Sequence, residues 1–348
     1  MKTKLILKIL PAIFLMMSAN TFAQNSNDQK VVLITLDGFR WQELFTGADP
    51  KLIANKNYVG DTTELKNSFW KESAEKRRET LLPFIWTEVT KLGEIHGNRE
   101  AGSKVNLTNK MWFSYPGYNE ILTGKADDEH ITSNDKIYNQ NITILEEFNA
   151  TPKYKGKVAA FTSWDVFPYI INDERSGVPV NAAFEPAQGN DLTDHEIFLN
   201  KLQELIPSPW GSVRLDAFTQ NYALEYMKKN HPDLLYISFG ETDDFAHDGK
   251  YDAYLHSAHN TDTMIKELWD YVQSDDFYKD KTTFIITTDH GRGTEPLDTW
   301  KSHGSSVAGA DQTWLIEIGA QAEKKGEVKK QEQLYTNEIA DKIRKMLK

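Results

Sequence analysis

The chain has 348 residues, 39% of them hydrophobic and 26% charged, the proportions of a globular protein long enough to bury a large core. Its net charge of −11, with no basic stripe, argues against a general nucleic-acid binder but leaves room for a small anionic substrate. It has no cysteine, which excludes a disulfide framework, a lipoprotein anchor and thiolate metal ligands.

The chain opens on "MKTKLILKILPAIFLMMSANTFAQ". Lys2, Lys4 and Lys8 precede an apolar run from Ile9 to Met17, and small residues at Thr21 and Ala23 suit a cleavage site. This predicts a signal peptide over residues 1–23, cut after Ala23, and an exported (periplasmic or secreted) mature chain of residues 24–348. No later segment reads as a membrane span.

Three stretches read as buried parallel strands: "KVVLITLD" (30–37), "PDLLYISFGETD" (232–243) and "TTFIITTDHG" (282–291), with "GKVAAFTSW" (156–164) a weaker fourth. Each of the three is a continuous apolar or β-branched run ending on an acidic residue. Helical patterns separate them, as in "FTQNYALEYMKKN" and "AHNTDTMIKELWDYVQSD". The alternation predicts an α/β fold, with a doubly wound, mostly parallel sheet and helices on both faces. In such a sheet the ligand site lies beyond the carboxyl ends of the strands, where all three acidic ends converge. Two insertions interrupt the pattern. Residues 46–110 are charge-rich and read as a helical excursion over the site, and residues 171–212 are irregular, with four prolines. The C-terminal stretch reads as an amphipathic helix with Ile339, Ile343 and Met346 on one side.

The chemistry-bearing residues sit at those strand ends. Asp37 alone reads equally as a turn cap. Asp243 and His247 are four apart, so a helical turn puts them on one face, where they could grip one ion or serve as a cap and a solvated imidazole. Asp289 and His290 alternate sides on a regular strand and converge only where it breaks into a turn, which Gly291 and Gly293 permit. His303 follows in a loop. Ser114, in "MWFSYPGYNEILTG" (111–124), precedes a helix-compatible stretch. There a serine is either an N-cap or a nucleophile among free N–H groups. As a nucleophile it needs a base or metal to ionise it. His96, His130, His195 and His231 have no comparable context, and His256 and His259 read as solvated.

Taken together, "LDGFR", "SYPGYNEILTG", "SND", "GETDDFAH", "TDHGRG" and "SHG" resemble the ordered signature of the alkaline phosphatase superfamily, in particular its type I phosphodiesterase/nucleotide pyrophosphatase group. The resemblance spans residues 31 to about 318. It implies one alkaline phosphatase-like catalytic domain and two zinc ions, with manganese or iron as alternatives. Asp243, His247 and His303 would hold one ion. Asp37, Asp289 and His290 would hold the other, with Ser114 as nucleophile on it and a phosphoserine intermediate. Asn134 and the backbone N–H after Ser114, that of Tyr115, would donate to the phosphoryl oxygens. Tyr115 and Trp164 would face the substrate. The stretch "FTSWDVFPY" (161–169) has no basic residue where monoesterases of the family clamp a phosphate dianion, which tilts the expectation toward phosphodiesters. Lys71, Lys76, Arg77 and Arg78 of the first insertion could supply such a clamp, making phosphomonoesters the alternative. Tyr118 stands where a sulfatase needs arginine, so a sulfatase ranks lower, with a non-catalytic binding protein. Glu241 reads as a solvated loop acid, not a third-ion ligand. The partner implied is a small phosphate ester; oligomeric state is not legible.

Overall fold

The computed structural model describes residues 28–348; the expected signal peptide lies outside them. In chain order the strands are β1 (Lys30–Leu36), β2 (Gly93–His96), β3 (Ser103–Asn106), β4 (Val158–Thr162), β5 (Val180–Ala182), β6 (Leu234–Phe239), β7 (Thr282–Thr287), β8 (Gln312–Thr313), β9 (Leu315–Gly319), β10 (Gly326–Glu327) and β11 (Glu332–Tyr335). Eight form one sheet in the order β10-β2-β9-β7-β1-β6-β4-β5, and β11-β3-β8 form a smaller one. The centre is parallel: β1 lies between β7 and β6, and β4 and β5 continue beyond β6. Strand β9 runs antiparallel to both β7 and β2. The sheet is thus mixed, mostly parallel and helix-flanked, as the alternation of strand and helix patterns predicts.

Alternation along β1 explains the layers. Val32, Ile34 and Leu36 pack into one apolar cluster, while Val31 and Leu33 enter the other on the opposite face. The Asp216–Asn230 and Tyr251–Ser274 helices cover the first face, and the Ser114–Thr123 and Glu338–Leu347 helices the second. Ile339 and Ile343 of the closing helix are buried, with Met346 packed partly against them.

The charged segment 46–110 is not a simple excursion. It holds helices Thr62–Phe69 and Ala74–Leu81, but then supplies β2 to the main sheet and β3 to the small one. Four-residue strands in polar surroundings carry little periodicity, which is why the sequence pattern passes over them. Segment 171–212 likewise contains β5 and the Asp194–Leu205 helix, the latter opened by a Thr193/Glu196 capping box. Among the described residues no helix is long and apolar enough to cross a membrane.

Candidate metal and nucleophile site

The carboxyl ends of β7, β1, β6 and β4, neighbours in that order, form the floor of the site. Strand β1 delivers Asp37 and β7 delivers Asp289 and His290. Strand β6 runs into the Glu241–His247 helix, which carries Asp243 and His247, and β4 leads to Trp164. A loop brings His303 over the top. Ser114 is the first residue of its helix, with Phe113 at the cap position and no side-chain cap bond, so the capping alternative does not apply. That helix lies hard against the end of β7: a Cβ on Gly117 would sit 2.2 Å from the Asp289 carbonyl oxygen, so only glycine permits the approach.

Two groups of side chains could each hold an ion. Asp37, Asp289 and His290 form a wholly buried one; Asp243, His290 and His303 form a second, and within each the donor atoms lie within 4.8 Å of one another. His290 belongs to both. His247 adjoins the second group, its Nε2 2.9 Å from His303 Nε2 and 3.2 Å from Asp243 Oδ2. The expected division of ligands therefore differs at His290, which stands between the clusters. The Ser114 hydroxyl is 3.4 Å from His290 Nε2, and His290 Nδ1 is turned toward the Gly291 carbonyl at 2.9 Å, leaving Nε2 for the site.

The donor set fits divalent ions. Asp37 Oδ2 accepts from the Tyr118 hydroxyl at 2.8 Å and Asp289 Oδ1 from the Gly38 N–H at 3.0 Å, yet Asp37 Oδ1 and Asp289 Oδ2 are buried without a partner. Burial first, then the charge of Asp243, raises the Asp37 pKa well above the ordinary range; burial and then Asp37 do the same for Asp289. Such carboxylates are costly unless a cation lies between them. His303 is pushed down to about 2, by burial first and then by His290, so it is a neutral imidazole, the form that binds metal. Nitrogen and carboxylate donors without thiolate suit zinc, and also admit manganese or iron.

Other expected residues fall differently. Asn134 does reach the site, but its Oδ1 accepts the Tyr115 backbone N–H at 2.9 Å. The two expected donors to substrate are bonded to each other, which leaves Asn134 Nδ2 as the side-chain donor not used in that bond. Tyr115 is 3% exposed and its hydroxyl donates to Ile137 O at 2.6 Å. Its side chain braces the Asn134 loop and does not line the Ser114 cavity, a correction to its expected substrate-facing role. Trp164 does line that cavity of about 120 Å³, with Ser114, Asn134, Val213, Asp244 and His247. Lys71, Lys76, Arg77 and Arg78 do not. Arg78 pairs with Glu327, Lys76 with Glu79, and Arg77 donates to the Thr46, Lys71 and Glu72 carbonyls. Glu241 is not a solvated loop acid: it opens a helix, is largely buried, and accepts the Asp216 N–H at 2.9 Å. His256 and His259 are not free in solvent either; both rings pack edge-on to Phe69.

Sequence reasoning missed three residues. Tyr118 anchors Asp37. Asp244 lines the cavity, its pKa pushed up to about 8 by burial and then by Asp243 and Asp216. Arg292, 1% exposed, contacts Asp243 through Nη2, which also donates to the Asp243 carbonyl at 3.1 Å. Burial works against ionised Asp243, but Arg292, then His247 and His303, hold its pKa well below the usual range. Arg292 was legible only as the residue after "TDHG", where sequence offers no sign of its partner.

The sequence profile of the metalloenzyme superfamily matches residues 190–305, which contain Asp243, His247, Asp289, His290 and His303. Over those residues the chain is similar to that superfamily. No curated protein sequence matches it as a relative. Solved structures share the fold at low identity. Alkaline phosphatase PafA has a TM-score of 0.61 at 10% identity, over 92% of this chain and 96% of its own. Lipoteichoic acid synthase LtaP from Listeria monocytogenes scores 0.57 at 11%, over 92% and 72%. Phosphonate monoester hydrolase SpPMH from Silicibacter pomeroyi scores 0.53 at 14%, over 92% and 73%. The chain thus has two His/Asp clusters able to coordinate divalent ions at the carboxyl edge of its sheet.

Proposed function

We propose that the chain is an exported, metal-dependent hydrolase of phosphate esters with Ser114 as nucleophile. The observation that carries this reading is the Ser114 hydroxyl 3.4 Å from Nε2 of His290, the imidazole common to both clusters. Asp37, Asp289 and His290 would hold one ion and Asp243, His247 and His303 the other. Bound there, divalent ions supply the Lewis acidity that ionises a serine and offsets charge on a leaving oxygen. The chain's own part is positional. The N-terminus of the Ser114–Thr123 helix favours an anion in front of Ser114, and Asn134 Nδ2 would donate to a phosphoryl oxygen. Attack forms the Ser114 Oγ–P bond as the P–O bond to the alcohol breaks; water then cleaves Oγ–P and frees the serine.

Two ester classes compete. Among the described residues no lysine or arginine lines the Ser114 cavity, which favours a singly charged phosphodiester over a dianion. The likeness to an alkaline phosphatase along nearly that enzyme's full length favours the phosphomonoester reading. Zinc-loaded protein assayed on bis-p-nitrophenyl phosphate, p-nitrophenyl phosphate and p-nitrophenyl sulfate decides between them. We expect the highest kcat/KM on the diester, abolished in Ser114→Ala. Monoester preference would transfer the assignment to the second reading, and turnover unaffected in Ser114→Ala would refute the nucleophile.

A further inference from the structure

We propose that Arg292 makes the two metal-binding clusters unequal, so that the buried cluster fills first and the outer one is the weaker, exchangeable position. This rests on the reading above only for which side chains are ligands.

The first observation is charge. The buried donors, Asp37, Asp289 and His290, bring two carboxylates. The outer donors, Asp243, His247 and His303, bring one, and its oxygen is in contact with the Arg292 guanidinium. A divalent ion therefore meets two negative charges in one place and a neutralised pair in the other. Arginine cannot shed its proton to relieve this. Among the described residues Arg292 forms an ion pair with Asp243 and with neither Asp37 nor Asp289.

The second observation is exposure. Asp289 and His290 have side chains 0% exposed and Asp37 8%, whereas His247 is 46% exposed. Coulombic attraction is stronger where water is excluded. The unpartnered Asp37 Oδ1 and Asp289 Oδ2 have already lost their hydration, so an arriving cation recovers a cost that folding has incurred. Of the outer ligands, His303 and Asp243 are 13% and 14% exposed, and it is His247 that still has water as an alternative.

The third observation is that Arg292 is held for this contact and does not complete a scaffold. Its Nε and Nη1 are buried with no partner. Gly38, at φ +57°, leaves room for it: a Cβ there would come within 2.9 Å of Arg292 Nε and 2.7 Å of Asp243 Oδ1.

The test is calorimetric titration of zinc into chelator-stripped protein. Wild type should show two steps whose Kd values differ by at least about tenfold, since a unit charge beside the ion changes its attraction substantially. His303→Ala should remove the weaker step and Asp289→Ala the tighter. Arg292→Gln should tighten the weaker step by at least about tenfold, and Arg292→Lys, which keeps the charge, should preserve the separation. Inseparable wild-type steps, loss of the weaker step in Asp289→Ala, or an unchanged separation in Arg292→Gln would each overturn the inference. If Arg292→Gln does not fold when stripped, zinc is withdrawn from the loaded variant and from loaded wild type with increasing chelator, and a separation of the two steps equal to that of wild type overturns the inference. Two ordered steps in a protein inert toward every ester would remove the proposed function and leave this inference standing.

Discussion

Two buried arginines near the same strand ends serve different ends. Arg40 and Arg292 are each 1% exposed. Arg40 is fully engaged: Nε donates to Glu43 at 2.8 Å, Nη1 to the Gly293 carbonyl at 3.1 Å, and Nη2 contacts Glu43. Glu43 also accepts from the Tyr251 hydroxyl at 3.0 Å. Arg292 spends one nitrogen on Asp243 and leaves two without partners, and Asp37 Oδ1 and Asp289 Oδ2 at the same strand ends also lack them. A satisfied network of buried polar groups is scaffold; a concentration of unsatisfied charged groups at one set of strand ends marks a place where something else can bind.

Substitutions can break that contrast. The largest effect is expected for His290→Ala, which takes from the unsatisfied cluster the imidazole common to both ion positions. It should lower kcat/KM on the preferred ester by on the order of 10⁴, and retention of activity would mean that the cluster is not the reaction centre. Next comes Glu43→Ala, which strands the Arg40 charge. It should cost about 3–5 kcal/mol in urea unfolding, with or without zinc. A much smaller loss would show that the pair is replaceable scaffold.

The smallest effect sharpens the comparison with a third polar group, away from the site. His96 lies between Glu332, 2.6 Å from Nδ1, and Glu94, 3.3 Å from Nε2, joining β2 to β11. Burial opposes its protonation, but Glu94 and Glu332 raise its pKa above 6.5. Because the folded-state value is the higher one, the stabilisation is present in full below about pH 6.5 and is lost as pH rises through the folded pKa. His96→Gln should therefore cost about 1 kcal/mol near pH 6 and less above the folded pKa, read from unfolding midpoints across pH. A pH-independent difference would mean that packing, not charge, is what His96 contributes.

Much of the fold was legible because its central strands are buried on both faces. β1, β6 and β7 are continuous apolar runs, and that continuity is a local property. The short strands β2, β3 and β10 were not legible. They are short and polar, Gly93–His96 includes Glu94 and His96, and their backbone partners lie far along the chain: β9 and β10 for β2, and β11 for β3.

The sequence alone determined which residue types reach the carboxyl edge of the sheet, since strand ends, helical spacing and glycine turns are short-range features. Asp37, Asp243, His247, Asp289, His290, His303 and Ser114 are all found there. Tertiary structure alone decided how they divide: His290 is common to both clusters, Tyr115 turns into the scaffold, and Arg292 is set against Asp243 from 49 residues away. The physical reason is that a ligand's type is written in its own residue. Its partner, its hydration and its net charge depend on which distant segments pack beside it.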